Sequence, residues 1–146
     1  MKKILYLSIF FSLFLFTSCE KEVDGCTDSD AINYASDATN DDGSCLYNFI
    51  KRWNITSLTL DGTELVSDGD YIEFFDDGSY LSYTGGIFEL GTYTSSTSSI
   101  TFSTFEIDDQ EVYVTYTVSA NMSSSSNLTL TGTLEGQSIV MTATAA

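Results

Sequence analysis

The chain has 146 residues, enough for one domain and little more. It sets 21 acidic residues against 5 Lys and Arg, a formal net charge of −16, and contains no histidine and no proline. That potential repels nucleic-acid phosphates and anionic headgroups, so no nucleic-acid partner is expected, while divalent cations and basic partners stay compatible with it.

Met1, Lys2 and Lys3 form a positive start, and residues 4–16 are an almost unbroken apolar run. A helix of that length reaches only about 20 Å, short of a ~30 Å hydrocarbon core, so a secretory leader is expected rather than a membrane span. An ordinary cleavage site asks for small residues at the first and third positions before the cut, and Phe16 stands at the third. The stretch Leu15-Phe16-Thr17-Ser18-Cys19 instead resembles the lipobox of bacterial lipoproteins: an apolar residue, two small ones, then cysteine. The resemblance implies that residues 1–18 are a lipoprotein signal peptide and that the Cys19 thiol carries a diacylglyceride. The membrane is then a partner through that lipid anchor. The competing reading is a plain secreted protein with an incidental Cys19. Glu20-Lys21-Glu22-Val23-Asp24, in an acidic tether over 19–25, is similar to the signal that sends some lipoproteins to the outer face of the outer membrane. The bacterial cell surface is the location it implies.

With Cys19 taken by lipid, the other two cysteines form a pair, Cys26 and Cys45, and an oxidising envelope makes a disulfide the expected state. Between them the side chains are small or polar apart from Ile32 and Tyr34, so this stretch needs a staple to hold a shape. Cys26-Thr27-Asp28, Ala31-Ile32-Asn33-Tyr34 and Asp41-Asp42-Gly43-Ser44-Cys45 are similar to a short cysteine-bounded module of bacterial surface proteins, distantly like the thrombospondin type-3 repeats. That resemblance covers residues 25–46, with the module itself at 26–46, and implies calcium. Asp28, Asn33, Asp37, Asn40, Asp41 and Asp42 are the candidate oxygen ligands, since calcium takes six to eight oxygens. The alternative is a disulfide-pinned acidic spacer with no cofactor.

From residue 47 to 146 the pattern is that of strands: β-branched and aromatic residues between turn signals, with no helical period. Strands are predicted at 51–60, 71–75, 79–84, 87–93, 99–105, 112–118, 127–134 and 138–143. Turns are predicted at Asp61-Gly62, Asp68-Gly69, Asp77-Gly78, Gly85-Gly86, Asp108-Asp109, Ser123 to Ser126, and Glu135-Gly136. About eight short strands with close connections predict an all-β fold, an antiparallel meander closing into a small barrel preceded by the disulfide-pinned loop. Trp53, the run Tyr71-Ile72-Glu73-Phe74-Phe75-Asp76-Asp77-Gly78-Ser79-Tyr80 and Gly91-Thr92-Tyr93 resemble the lipocalin-like domains of small bacterial lipoproteins. Lys51 stands where true lipocalins carry glycine. Short strands and many large aromatics predict a mostly filled interior.

Without histidine, Ser-His and Cys-His nucleophiles and the usual zinc sites are absent, which leaves paired carboxylates as the remaining catalytic route. Glu73, Glu89 and Glu111 are the strand-borne candidates, and a solvated strand face explains them as well, so no catalytic residue is assigned. The leading expectation is a non-enzymatic module with the lipocalin-like barrel as its working part, for a small apolar ligand or, through the exposed Thr, Tyr and Ser faces, a glycan. The alternative is an interaction protein with a filled barrel that meets a protein partner through its outer surface.

Overall fold

The computed structural model describes residues 21–107 and 109–146. The leader, the lipobox and Cys19 lie outside the described residues, as does Asp108 of the predicted turn.

The acidic segment is held by local contacts and one covalent link. Two short strands, β1 (Asp24–Gly25) and β2 (Asn40–Asp41), pair in parallel, and Gly25 sits so close to the chain that an added Cβ would lie 3.2 Å from that of Ala38. A disulfide joins Cys26 to Cys45, as the pairing of cysteines predicts. Asn33 clamps the two sides of the loop: its Nδ2 donates to the Ser44 carbonyl at 2.7 Å and its Oδ1 accepts from the Leu46 N–H at 2.8 Å.

The rest is a closed antiparallel barrel. Its strands are β3 (Arg52–Leu60), β5 (Tyr71–Phe74), β6 (Ser79–Thr84), β7 (Ile87–Ser95), β8 (Ser99–Ile107), β9 (Gln110–Ser124), β10 (Asn127–Leu134) and β11 (Gln137–Ala145); β4 (Thr63–Glu64) is a short appendage on β3. Apart from β4, each strand pairs with the next in chain order, and β11 returns to β3 over a register from Ile139↔Leu60 to Ala145↔Trp53. Eight strands thus form a closed up-and-down ring, as the turn spacing predicts. The hairpins at Asp61-Gly62, Gly85-Gly86 and Glu135-Gly136 hold both central residues at positive φ, the turn hand that matches strand twist.

Strand ends shift from the sequence pattern at several places, and two of the differences have a plain cause. Strand β9 runs on to Ser124, past the predicted 118, because Ala120 and Met122 keep the inward alternation while Ser119, Asn121 and Ser123 face out. The appended β4 has no periodicity to announce it; it exists because the Glu64 carboxylate accepts the Leu58 N–H at 2.8 Å and the Ser57 hydroxyl at 2.7 Å.

The interior is filled at one end only. Trp53, Phe74, Tyr80, Ile100, Phe102 and Leu128 are the largest fully buried side chains of the barrel, and they pack together in a single core. Phe49 caps them, its ring 5.2 Å from Phe74 and 5.6 Å from Tyr93, and its carbonyl accepts the Trp53 indole N–H at 2.8 Å. Burying each such aromatic stabilises the fold by about 1.5–3 kcal/mol. Towards the other end the wall opens. The four-residue β5 meets β3 over only Arg52, Trp53 and Asn54, so beyond them the second half of β3 is released to pair with β4. The expectation of a mostly filled barrel therefore holds for the end near Trp53 and fails for the end near Leu60.

Candidate functional site

At that open end lies a cavity of about 560 Å³. Its walls are aliphatic, with Leu58, Leu60, Leu65, Ile87, Ile139 and Met141 among them. These side chains follow from strand alternation: Leu58 and Leu60 on β3, Ile139 and Met141 on β11 each point inward at every second residue. A smaller void of about 50 Å³ beneath shares Leu58, Ile72, Tyr116, Ile139 and Met141 with it.

One rim of the cavity is a strap. Residues 61–70 leave β3 and cross to β5, and Asp70, 2 % exposed, ties the strap down. Its carboxylate accepts the Ser67 N–H at 2.8 Å and the Gly85 N–H at 3.1 Å, which fastens the strap to the β6–β7 hairpin. Leu65 on the strap donates its N–H to the Leu58 carbonyl at 2.8 Å and turns its side chain to the cavity.

The charged group in this largely apolar space is Glu89. It sits on β7 between Ser82 of β6 and Ile107 of β8, and three hydroxyls from three strands converge on one of its oxygens. Tyr80 donates to Glu89 Oε1, and Thr104 Oγ1 lies 3.0 Å and Tyr116 Oη 3.3 Å from the same oxygen. The Tyr80 and Thr104 hydroxyls are also 2.7 Å apart. Gly91 makes room for this: an added Cβ there would collide with the Ser103 carbonyl and lie 2.7 Å from Cε1 of Tyr80, so only glycine lets the ring lie flat on β7. Burial pushes the Tyr80 and Tyr116 hydroxyls well above the usual tyrosine range, and the neighbouring Glu89 charge adds to it. Both therefore stay protonated donors at any physiological pH.

The three glutamates singled out from the sequence are not brought together. Glu89 faces inward and lines the cavity. Glu73 is on the outer face beside Arg52 of β3, and Glu111 is exposed opposite Glu106. Tyr80, Thr104, Tyr116 and Asp70 carried no sequence expectation of their own. The inward register was nonetheless present in the pattern, because Glu89 lies two residues from Gly91 and four from the half-buried Tyr93.

The six candidate calcium ligands do not converge on one point. Asp28 accepts the Asp30 N–H at 2.9 Å and the Tyr47 hydroxyl at 2.8 Å; Asp41 accepts Gly43 N–H at 3.0 Å and Asp42 accepts Ser44 N–H at 2.9 Å. Asn40 donates to Asp24 at 2.7 Å, Asn33 bridges Ser44 and Leu46, and Asp37 is exposed. Among the described residues, no three His, Cys, Asp or Glu side chains gather closely enough to hold a metal ion.

No protein-family model, curated protein or solved structure matches this chain.

Proposed function

We propose that this is a lipid-anchored protein of the bacterial envelope, tethered through Cys19 and displayed at the outer membrane surface. Its barrel binds a small, largely apolar ligand at the open end and performs no chemistry on it. The observation that carries the reading is the cavity: about 560 Å³, walled by aliphatic side chains and reachable from one end of an otherwise packed barrel. Pockets that take small molecules fall in the range of about 300–1,000 Å³ and share that lining, with a few placed polar groups. The resemblance of Trp53, the run from Tyr71 to Tyr80, and Gly91-Thr92-Tyr93 to lipocalin-like domains supports the same reading.

A second reading, contact with a glycan or protein partner through the outer wall, is favoured by one surface feature. Arg52 lies 3.5 Å from the Tyr71 ring centroid, Tyr71 is 6.2 Å from Tyr83, and Tyr83 is 4.7 Å from the exposed Phe88, a row of side chains across four strands.

The test has two arms. Cys19→Ser should release the protein from membranes or leave it unprocessed; a processed, membrane-bound variant removes the anchor from the proposal. A neutral apolar fluorophore should bind the full chain at one saturable site, and Ser82→Phe, which fills the cavity from β6, should abolish that site while the barrel still unfolds cooperatively. Undiminished binding to a folded Ser82→Phe variant would hand the function to the outer wall.

A further inference from the structure

A cavity meant only for hydrocarbon has no use for a carboxylate, and Glu89 is held in this one by three hydroxyls. All three meet Oε1. Among the described residues no donor lies within hydrogen-bond distance of Oε2, and no buried side-chain oxygen or nitrogen is left without a partner. Oε2 is therefore not sealed in the wall; it faces the open space. Among the described residues no Lys or Arg lines the cavity, and Glu89 is its only carboxylate.

We infer that the cavity is built for a small amphiphilic amine, its apolar body against the aliphatic wall and its protonated nitrogen on the free oxygen of Glu89. The inference rests on reading the cavity as a ligand site and names the class of molecule it takes. Three hydroxyls satisfy one oxygen of this carboxylate but bring no countercharge, and an ammonium group supplies both the charge and donors for the other. An anionic head is opposed twice, by Glu89 and by a chain whose formal charge is −16. The same field, focused into a low-dielectric cleft, concentrates cations at its mouth. A neutral alcohol makes one hydrogen bond to Oε2 and leaves the charge unmatched. A bare divalent ion is no better suited, since it asks for six to eight oxygens and the wall is mostly hydrocarbon.

The experiment titrates the full chain with octylamine, octanol and octanoate by calorimetry at neutral pH, which holds the apolar body constant and changes only the head. The amine should bind at one site, about tenfold or more tighter than the alcohol, as a hydrogen bond to a charged group allows, and octanoate should bind weakest. Glu89→Gln should bring the amine down to the alcohol, while Glu73→Gln on the outer face should leave the ranking unchanged. Should Glu89→Gln not fold, the ranking on the unaltered protein still decides. Equal binding of amine and alcohol, or an amine preference that survives Glu89→Gln or disappears in Glu73→Gln, overturns the inference and leaves the apolar cavity standing. Failure of all three probes to bind overturns the ligand-site reading itself.

Discussion

Trp53 pairs with Ile72 on one side and with Ala145 on the other, and its ring is fully buried. Between 11 and 20 residues earlier, Asn33, Asp37, Asn40, Asp41 and Asp42 are all exposed, and their hydrogen bonds reach mostly to neighbours two residues on or to the opposite side of one loop. The barrel gets its shape from contacts distant in sequence, which form together or not at all. The acidic module gets its shape from turns that each stand alone, with Cys26–Cys45 holding their sum. The two regions should therefore fail separately, by different causes and to different degrees.

The largest effect belongs to the barrel. Phe74 touches Phe49, Tyr93 and Phe102 across the filled end, so Phe74→Ala leaves a hole that three elements must share. The expected loss is about 3–5 kcal/mol, read as a fall in the urea midpoint of the whole barrel at unchanged slope. Proteolysis of residues 26–45 under native conditions should hardly change. A loss below about 1 kcal/mol would mean that the filled end is not what holds the ring closed.

Next in size is the staple. On the chain-entropy model, a disulfide spanning 19 residues contributes about 3 kcal/mol, all of it to the segment it encloses. Reduction, or Cys45→Ser, should make residues 26–45 readily cleaved while the urea midpoint of the barrel stays within error. A barrel that loosens on reduction would show that the module acts as its plug, through contacts such as Ser125 to Asp30.

The contrast also explains what could be read from the sequence. Strand positions were legible because alternation such as Leu128, Leu130, Gly132, Leu134 and turn pairs such as Glu135-Gly136 are local, and closure follows once every neighbour is antiparallel. The open end was not legible, because it depends on how far β5 reaches along β3, a matter of register that no single segment carries. Glu89 stood out as a strand-borne carboxylate, yet its partners Tyr80, Thr104 and Tyr116 come from three other strands and meet only in the closed ring. In the module the reverse holds. The cysteines and the aspartate-rich turns are plain in the sequence, but the parallel pairing of Asp24–Gly25 with Asn40–Asp41 is too short to leave a pattern.

The smallest effect, and the one that separates the regions by chemistry, is their response to pH. In the module, the Asp30 N–H and the Tyr47 hydroxyl hold Asp28 below the usual carboxylate range, and the Ser44 hydroxyl and N–H do the same for Asp42. A carboxylate with a depressed folded pKa contributes stability above its unfolded value, near 4, and loses it as pH falls through the folded value. Acid should therefore loosen residues 26–45 below about pH 4. Glu64, held low by the Leu58 N–H and the Ser57 hydroxyl, should free the strap in the same window. In the barrel the shift runs the other way. Burial raises Tyr80 and Tyr116, so their contribution is complete below the free-tyrosine value near 10 and is lost as pH climbs from there through their own higher values. Tyr47 is raised as well, by its bond to Asp28, so strong alkali acts on both regions. Following tyrosinate absorbance upward in pH should show Tyr80 and Tyr116 ionising only together with loss of the barrel's circular dichroism. Pepsin at low pH should cut the module and the strap before any barrel strand. Early cleavage within β8 or β9 in acid, or smooth ionisation of every tyrosine without unfolding, would break the separation.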